Sequence, residues 1–282
     1  AYDGLVALDG KLYMVGGQHP VAESNVSRYD PLNGTWEAVA PLSVPRGQPA
    51  VVTLGCKIYA IGGDGYSLSS VEVYDPLTNS WSAGVPLPYN SGGASAATLN
   101  GKIYLAGGHI AKPRTNKLLQ FDPATGQWTE QAPMKYSIQA LRLRALNGKL
   151  YAVGGETGGS RRLNVLQEYD PSSNEWTEKS PMSSTRESPI VFPWGGRLYV
   201  GGGINHETST VLTAIESYDP ATDQWTPGGN LPVEIYNAGC AMVDDKVYFA
   251  GGRRQGNVPS SELFAAELPV AENLSFTLVS GQ

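Results

Sequence analysis

Nine cations fall in a few variable stretches of this chain: Arg46, Lys112, Arg114, Lys135, Arg161, Arg162, Arg186, Arg253 and Arg254. Seven of them are arginines, whose planar, forked guanidinium suits carboxylates and phosphates. Tyr66, Tyr89, Tyr136 and Tyr236 share the same stretches, and arginine beside tyrosine is the composition of a binding hot spot. Six acids (Glu23, Asp64, Glu156, Glu187, Glu207 and Glu234) stand against these cations, so the stretches carry +3 and the rest of the chain −9, within a total of −6. The chemistry this suggests is recognition without reaction, a groove for an acidic or phosphorylated peptide. A solvated rim with accidental charge is the competing reading of the same residues.

Other chemistries fit less well. His19, His109 and His206 lie in alternate repeats, too far apart for the ~2 Å metal–nitrogen bonds of a shared ion. No carboxylate or cysteine cluster of ligand spacing stands beside them, so no metal and no cofactor are expected. Cys56 and Cys240 are the only cysteines, too few for a disulfide-built fold. Neither a Ser-His-Asp order nor a phosphate-binding loop is present. Glu156, Glu207, Arg142 and Arg186 could in principle line a small sugar-active pocket, which keeps an enzyme as the alternative. The acidic balance argues against a nucleic-acid partner, and no apolar run approaches the ~18 residues of a membrane span. The first residues run almost directly into a strand, as expected of an excised domain, and a cytoplasmic location is expected.

What must position these side chains is a repeat. Gly-Gly pairs stand at Gly16-Gly17, Gly62-Gly63, Gly107-Gly108, Gly154-Gly155, Gly202-Gly203 and Gly251-Gly252, in steps of 45–49 residues. An aromatic-Asp-Pro triplet follows in five units, beginning at Tyr29, Tyr74, Phe121, Tyr169 and Tyr218, and a tryptophan stands seven residues after each of those aromatics. Phe264 and Phe276 replace the aromatic markers in the sixth unit. Unit two reads as strand A over 50–54, strand B over 57–61, strand C over 71–74 and strand D from Trp81, all short and bounded by turn formers. Asp9-Gly10, Asn100-Gly101 and Asn147-Gly148 are dipeptides that tight A–B hairpins favour. Six units of four antiparallel strands predict an all-β, six-bladed β-propeller over residues 1–282.

These three markers at these spacings resemble the kelch repeat, and the joins Ala40-Pro41-Leu42, Ala132-Pro133-Met134 and Ser180-Pro181-Met182 are most similar to the kelch-like proteins. That resemblance implies BTB and BACK domains ahead of the propeller and a role as substrate receptor for cullin-3 ubiquitin ligases, with cullin-3 bound through domains other than this one. It implies as alternatives a bacterial-type kelch enzyme such as a sugar mutarotase, or an actin-associated scaffold. Many members of the family close the ring with a C-terminal strand that completes the first blade. Here strand A of blade one starts near Gly4 and strand D of blade six ends near Val279, so closure by packing is one expectation and a different strand division the other.

The repeated Gly-Gly, Tyr and Trp are expected to be structural, because residues present in every blade cannot distinguish a ligand. Strand alternation puts the A–B and C–D turns on one face and the B–C and D–A loops on the other. Binding is assigned to that second, variable face. The residues expected to contact a partner are Arg46, Tyr66, Tyr89, Arg114, Tyr136, Arg142, Arg161, Arg162, Arg186, Tyr236, Arg253 and Arg254. Arg142 and Arg144 stand where other units have small or apolar residues, and two apart on a strand they share a side. Either they line the central channel or they pair internally with a carboxylate such as Glu168.

Overall fold

The computed structural model describes residues 4–18, 21–63, 68–109, 113–158, 161–205, 207–267 and 274–280. Six antiparallel sheets, each with a four-stranded path, follow one another along the chain, and in the sixth a short extra strand, Val258–Pro259, pairs with the end of Lys246–Arg254. Blade 1 comprises Leu5–Leu8, Lys11–Val15, Val26–Asp30 and Thr35–Val39, and blade 2 comprises Ala50–Leu54, Lys57–Ile61, Val71–Asp75 and Ser80–Ala83. Blade 3 is Ser95–Leu99, Lys102–Ala106, Leu118–Asp122 and Gln127–Gln131; blade 4 is Arg142–Leu146, Lys149–Val153, Leu166–Asp170 and Glu175–Lys179. Blade 5 is Ile190–Trp194, Arg197–Gly201, Ala214–Asp219 and Gln224–Asn230. Blade 6 is Tyr236–Val243, Lys246–Arg254, Leu263–Glu267 and Ser275–Ser280. The strand assignments read from unit two hold to within a residue or so, and the only helical turn among the described residues is a 3-10 turn at Gln255–Asn257. The A–B turns behave as their dipeptides require, with positive φ at Asp9, Asn100 and Asn147 and at the glycine after each.

The core is divided among the blade interfaces. Six buried apolar clusters each draw on two neighbouring blades, and the sixth joins Leu5, Leu12 and Tyr29 of blade 1 to Ala241, Tyr248 and Leu263 of blade 6. The ring therefore closes by packing, with blades 1 and 6 each built from its own continuous stretch of chain. Gly239 lies so close to Leu5 that an added Cβ would stand 2.4 Å from the Leu5 side chain.

The repeated residues act as inter-blade fasteners. The Nε1–H groups of Trp81, Trp128, Trp176 and Trp225 donate to the carbonyls of Ala40, Val85, Ala132 and Ser180 in the preceding connection, at 2.7–3.0 Å. Tyr74, Tyr169 and Tyr218 donate to Asn79, Asn174 and Asp223 in their own C–D turns. Those same acceptor atoms take the amides of Ala40, Ala132 and Ser180 from the blade before. Each buried aromatic hydroxyl or indole is thus satisfied while its ring fills the gap between sheets. In the first five Gly-Gly pairs the second glycine donates its amide to the D–A loop: Gly17 to Arg46 at 3.0 Å, and Gly63 to Ser91, Gly108 to Ile138, Gly155 to Arg186 and Gly203 to Ile235 at 2.8 Å. The first glycine has positive φ, and a Cβ on Gly62, Gly107, Gly154 or Gly202 would sit 2.4 Å from that same loop carbonyl. Backbone has to pass where a side chain would go, which is why the pair recurs.

Candidate channel-mouth site

The D–A loops converge on the channel through one repeated five-residue path. Sixteen residues before each first glycine stands an enclosed anchor (Arg46, Ser91, Ile138, Arg186 or Ile235), and two residues later a position with positive φ. Gln48, Gly93, Ala140, Ser188 and Asn237 occupy that second position. The Ala140 amide donates to Gly93 at 3.2 Å, Ser188 to Ala140 at 2.9 Å and Asn237 to Ser188 at 3.1 Å. A main-chain hydrogen-bonded collar thus runs around the neck from blade 3 to blade 6. B–C and D–A loops of one blade also pair with each other, through bridges between Gly92 and His109, Gln139 and Glu156, and Glu187 and Ile204. They form one face, as strand alternation requires. Part of that face is more regular than a loop, because Glu156–Thr157 pairs with Arg161–Arg162 and Ile204–Asn205 with Thr210–Val211.

Two expected contact residues are corrected by the structure. Arg46 and Arg186 are fully enclosed. Arg46 donates to the carbonyls of Gly62 (2.7 Å) and Ser70 (2.9 Å) and to Glu72 (3.0 Å). Arg186 donates to the carbonyls of Gly202 (2.7 Å) and Ala214 (2.9 Å) and to Glu216 (2.8 Å). Their guanidiniums tie a D–A loop to strand C of the same blade, so they hold the loop face together and are not presented on it. Burial depresses both arginines below their ordinary value, and the facing carboxylates oppose that. Burial alone would raise Glu72, but hydrogen bonds from Ser43 and Arg46 outweigh it and keep the carboxyl below its usual range.

The other expected residues separate by circumstance. Arg114 is engaged by Glu156, which also accepts from Gln139, and Arg254 is engaged by Glu262. Lys135 pairs with exposed Glu178 at 2.6 Å and lies 5.1 Å from the Tyr136 ring, whose hydroxyl donates to the same carboxylate. The excess of positive charge counted on the loop face is therefore partly neutralised by partners on neighbouring strands. Tyr89 is half-buried beneath Lys117, and burial raises its phenol. The backbones of Arg161 and Arg162 form the short strand just named, and Tyr66 lies outside the described residues. The four residues considered for sugar chemistry do not share one pocket, since Arg186 is sealed inside blade 5 and Glu207 is exposed. Among the described residues no group of three His, Cys, Asp or Glu side chains is placed to hold a metal.

Blade 6 departs most from the repeat. Its first two strands run 8 and 9 residues, where other blades have 4 or 5, so the hairpin continues past Gly251-Gly252 onto the loop face. Tyr236 and Arg253 are direct cross-strand partners at its end. Asn257, in a left-handed conformation, joins them: it accepts the Tyr236 hydroxyl at 2.8 Å and Arg253 Nη1 at 2.9 Å.

Arg142 and Arg144 line the channel, and Glu168 serves Lys149 and Tyr151 instead. Arg142 is buried, with Nη1 on the Leu141 carbonyl; Arg144 reaches across to blade 5, where its Nε donates to the Val191 carbonyl at 2.8 Å. Cys240 faces the same space. Burial pushes its thiol up to about 11, with the two arginines pulling the other way.

A family described as the KLHDC2/KLHL20/DRC7 Kelch-repeats domain matches residues 3–189 and 93–271, and the chain belongs to this family of kelch propellers. Among curated proteins it resembles Kelch-like protein 4 of Homo sapiens (56% identical over 43 residues, 15% of this chain and 6% of that protein). It also resembles Kelch-like protein 35 of Mus musculus (42% over 62 residues, 22% of this chain and 11% of that protein). A third similar protein is Kelch-like ECH-associated protein 1A of Danio rerio (37% over 65 residues, 21% and 11%). These matches span about a tenth or less of the curated relatives' length. A solved structure titled "Structure of YjhT" superposes with a TM-score of 0.85 at 18% identity, covering 98% of this chain and 97% of that one, which supports the fold.

Proposed function

We propose that this propeller is a protein-recognition module that binds an acidic or phosphorylated peptide across its B–C/D–A loop face. In a longer chain it would act as the substrate receptor of a cullin-3 ubiquitin ligase, with cullin-3 bound through other domains. The observation that carries the reading is the blade 6 extension. A hairpin lengthened beyond what the repeat requires holds a tyrosine and an arginine side by side, fixed through Asn257 and facing the partner side of the ring. A pre-positioned Arg–Tyr pair loses little side-chain entropy on binding, and that makes it a candidate hot spot. One similar protein, Kelch-like ECH-associated protein 1A, is named for association with another protein, which favours a protein partner for this chain.

The test is selection from a peptide-display library on the immobilised domain, with Arg253→Glu as counter-selection. Acidic peptides that bind the wild type at least tenfold more tightly than the variant, with an affinity that falls as salt rises, support the reading. Enrichment of neutral peptides, or equal binding to both proteins, rejects it.

A further inference from the structure

Strand D is the outermost strand of every blade, and the outer side of such a strand offers backbone N–H and C=O groups to another extended chain. Five blades carry a feature that discourages this pairing. Glu37, Glu130, and Glu175 with Glu178 charge the outer strands of blades 1, 3 and 4, while Pro227 and a register shift break that of blade 5. The outer strand of blade 2 is short, Ser80–Ala83, with only serine and alanine beside its tryptophan. That of blade 6, Ser275–Ser280, runs for six residues without a charge or a proline. Its Ser275–Leu278 portion pairs regularly with Phe264–Glu267 before an extra residue at Val279. Leu278 is 56% exposed, where the other blades have Ala38, Ala83, Glu130, Glu178 and Pro227. Phe276 is anchored inward, its ring edge-on to Phe249 at 5.3 Å, which fixes the strand against the blade. Among the described residues nothing pairs with the outer side of this strand.

We infer that this edge is an association surface for a second copy of the chain, the two outer strands pairing antiparallel about a two-fold axis at Thr277. Directly opposed residues of an antiparallel pair share one face, so a two-fold register must centre on a residue. With Thr277 against its own mate, Leu278 of each copy stands opposite Phe276 of the other, and Ser275 opposite Val279. Exposed Leu278 is then covered by an apolar neighbour, and no charge meets its like. A charge at the central position would face itself, as Glu37 would at the equivalent place in blade 1. That compatibility of the strand with itself at every opposed position is what favours a copy over a foreign strand. Each chain has one such edge, so a two-fold contact closes at two copies. Six residues bury little area, which makes the dimer weak and concentration-dependent. The surface lies on the rim, apart from the loop face and the channel, and stands independently of the peptide proposal.

Sedimentation equilibrium of the wild-type chain, and of Thr277→Glu and Thr277→Lys alone and mixed, tests this. The expected result is a monomer–dimer equilibrium for the wild type, at least tenfold weaker in either variant alone. An equimolar mixture of the two variants should restore it, because opposite charges then meet at the axis. Thr277 is exposed, so neither substitution reaches the core. Hydrogen exchange gives a second reading on the unmodified chain: amides at residues 275–280 should exchange more slowly as it is concentrated. A wild type that stays monomeric overturns the inference, as does association beyond two copies or exchange at 275–280 that concentration leaves unchanged. Variants that associate as the wild type does, or a mixture no tighter than either variant alone, overturn it equally.

Discussion

Replacing Arg46 with methionine should damage the fold rather than the binding face. The guanidinium is fully enclosed and serves two carbonyls and one carboxylate. Methionine keeps much of the aliphatic stem but leaves Glu72, itself about 6% exposed, without a cation and dependent on Ser43 and the Val44 amide among the described residues. Breaking a buried pair by removing one partner costs about 3–5 kcal/mol. In a chain of this size a loss of ~4 kcal/mol corresponds to a drop in Tm of roughly 8–16 °C. Replacing both partners (Arg46→Met with Glu72→Leu) should recover most of that loss, because no charge then remains buried; the orphaned Gly62 and Ser70 carbonyls leave a residual of about 1–3 kcal/mol. Equilibrium urea unfolding of the wild type, both single variants and the double variant measures the coupling directly. The pair also makes stability acid-sensitive. Glu72 has a folded-state pKa below its unfolded value, so its contribution is present above the unfolded value and is lost as pH falls through the folded one. The gap between wild type and Glu72→Gln should therefore narrow below about pH 4.3. An Arg46→Met protein within about 1 kcal/mol of the wild type would refute this reasoning and return Arg46 to the set of partner contacts.

Other outcomes follow from the collar, the glycine pairs and the channel. Ala140 holds φ at 55°, where Gly93 stands one blade earlier, so Ala140→Gly should stabilise by about 1 kcal/mol and Gly93→Ala should destabilise by a similar amount. A Cβ on Gly93 would meet nothing closer than 3.6 Å, which isolates backbone strain as the cause; thermal unfolding of the two variants checks both signs. Gly62→Ala is different in kind, because its Cβ would stand 2.4 Å from the Ser91 carbonyl. It should lose more than about 3 kcal/mol in the same urea assay. In alkylation with iodoacetamide at neutral pH, exposed Cys56 should react first, while Cys240, part-exposed in the channel with its thiol raised to about 11 by burial, should react far more slowly until the chain unfolds. Peptide mapping by mass spectrometry distinguishes the two cysteines.

The blades were legible because their markers do work that only certain residues can do. Gly62 and Gly107 must be glycine to let a carbonyl pass, and Trp81 or Trp176 must be tryptophan to reach back to the preceding connection. The loop face was harder, since loop position alone does not say whether a cation points outward. For Arg46 and Arg186 a signal did exist. Their equivalents are Ser91, Ile138 and Ile235, a set that suits an enclosed position, and both arginine-bearing blades carry glutamate two residues before the strand C tyrosine. Glu262 shows why that pattern was not decisive, for it occupies the same place in blade 6 and turns to Arg254. Arg142 and Arg144 could be assigned to one side of a strand, but channel or internal pairing depended on what lay across the ring. That follows from inter-blade geometry, which no single repeat encodes.

Hydrogen-exchange footprinting of an acidic peptide, enriched by display on the wild-type domain, tests the central claim most directly. Exchange should slow at residues 236–238 and 253–259 and in the D–A loops around the collar, with the A–B turns at residues 9–10, 100–101 and 147–148 unchanged. Protection confined to those turns or to the outer strands of the blades would contradict it and would place the recognition surface elsewhere on the ring.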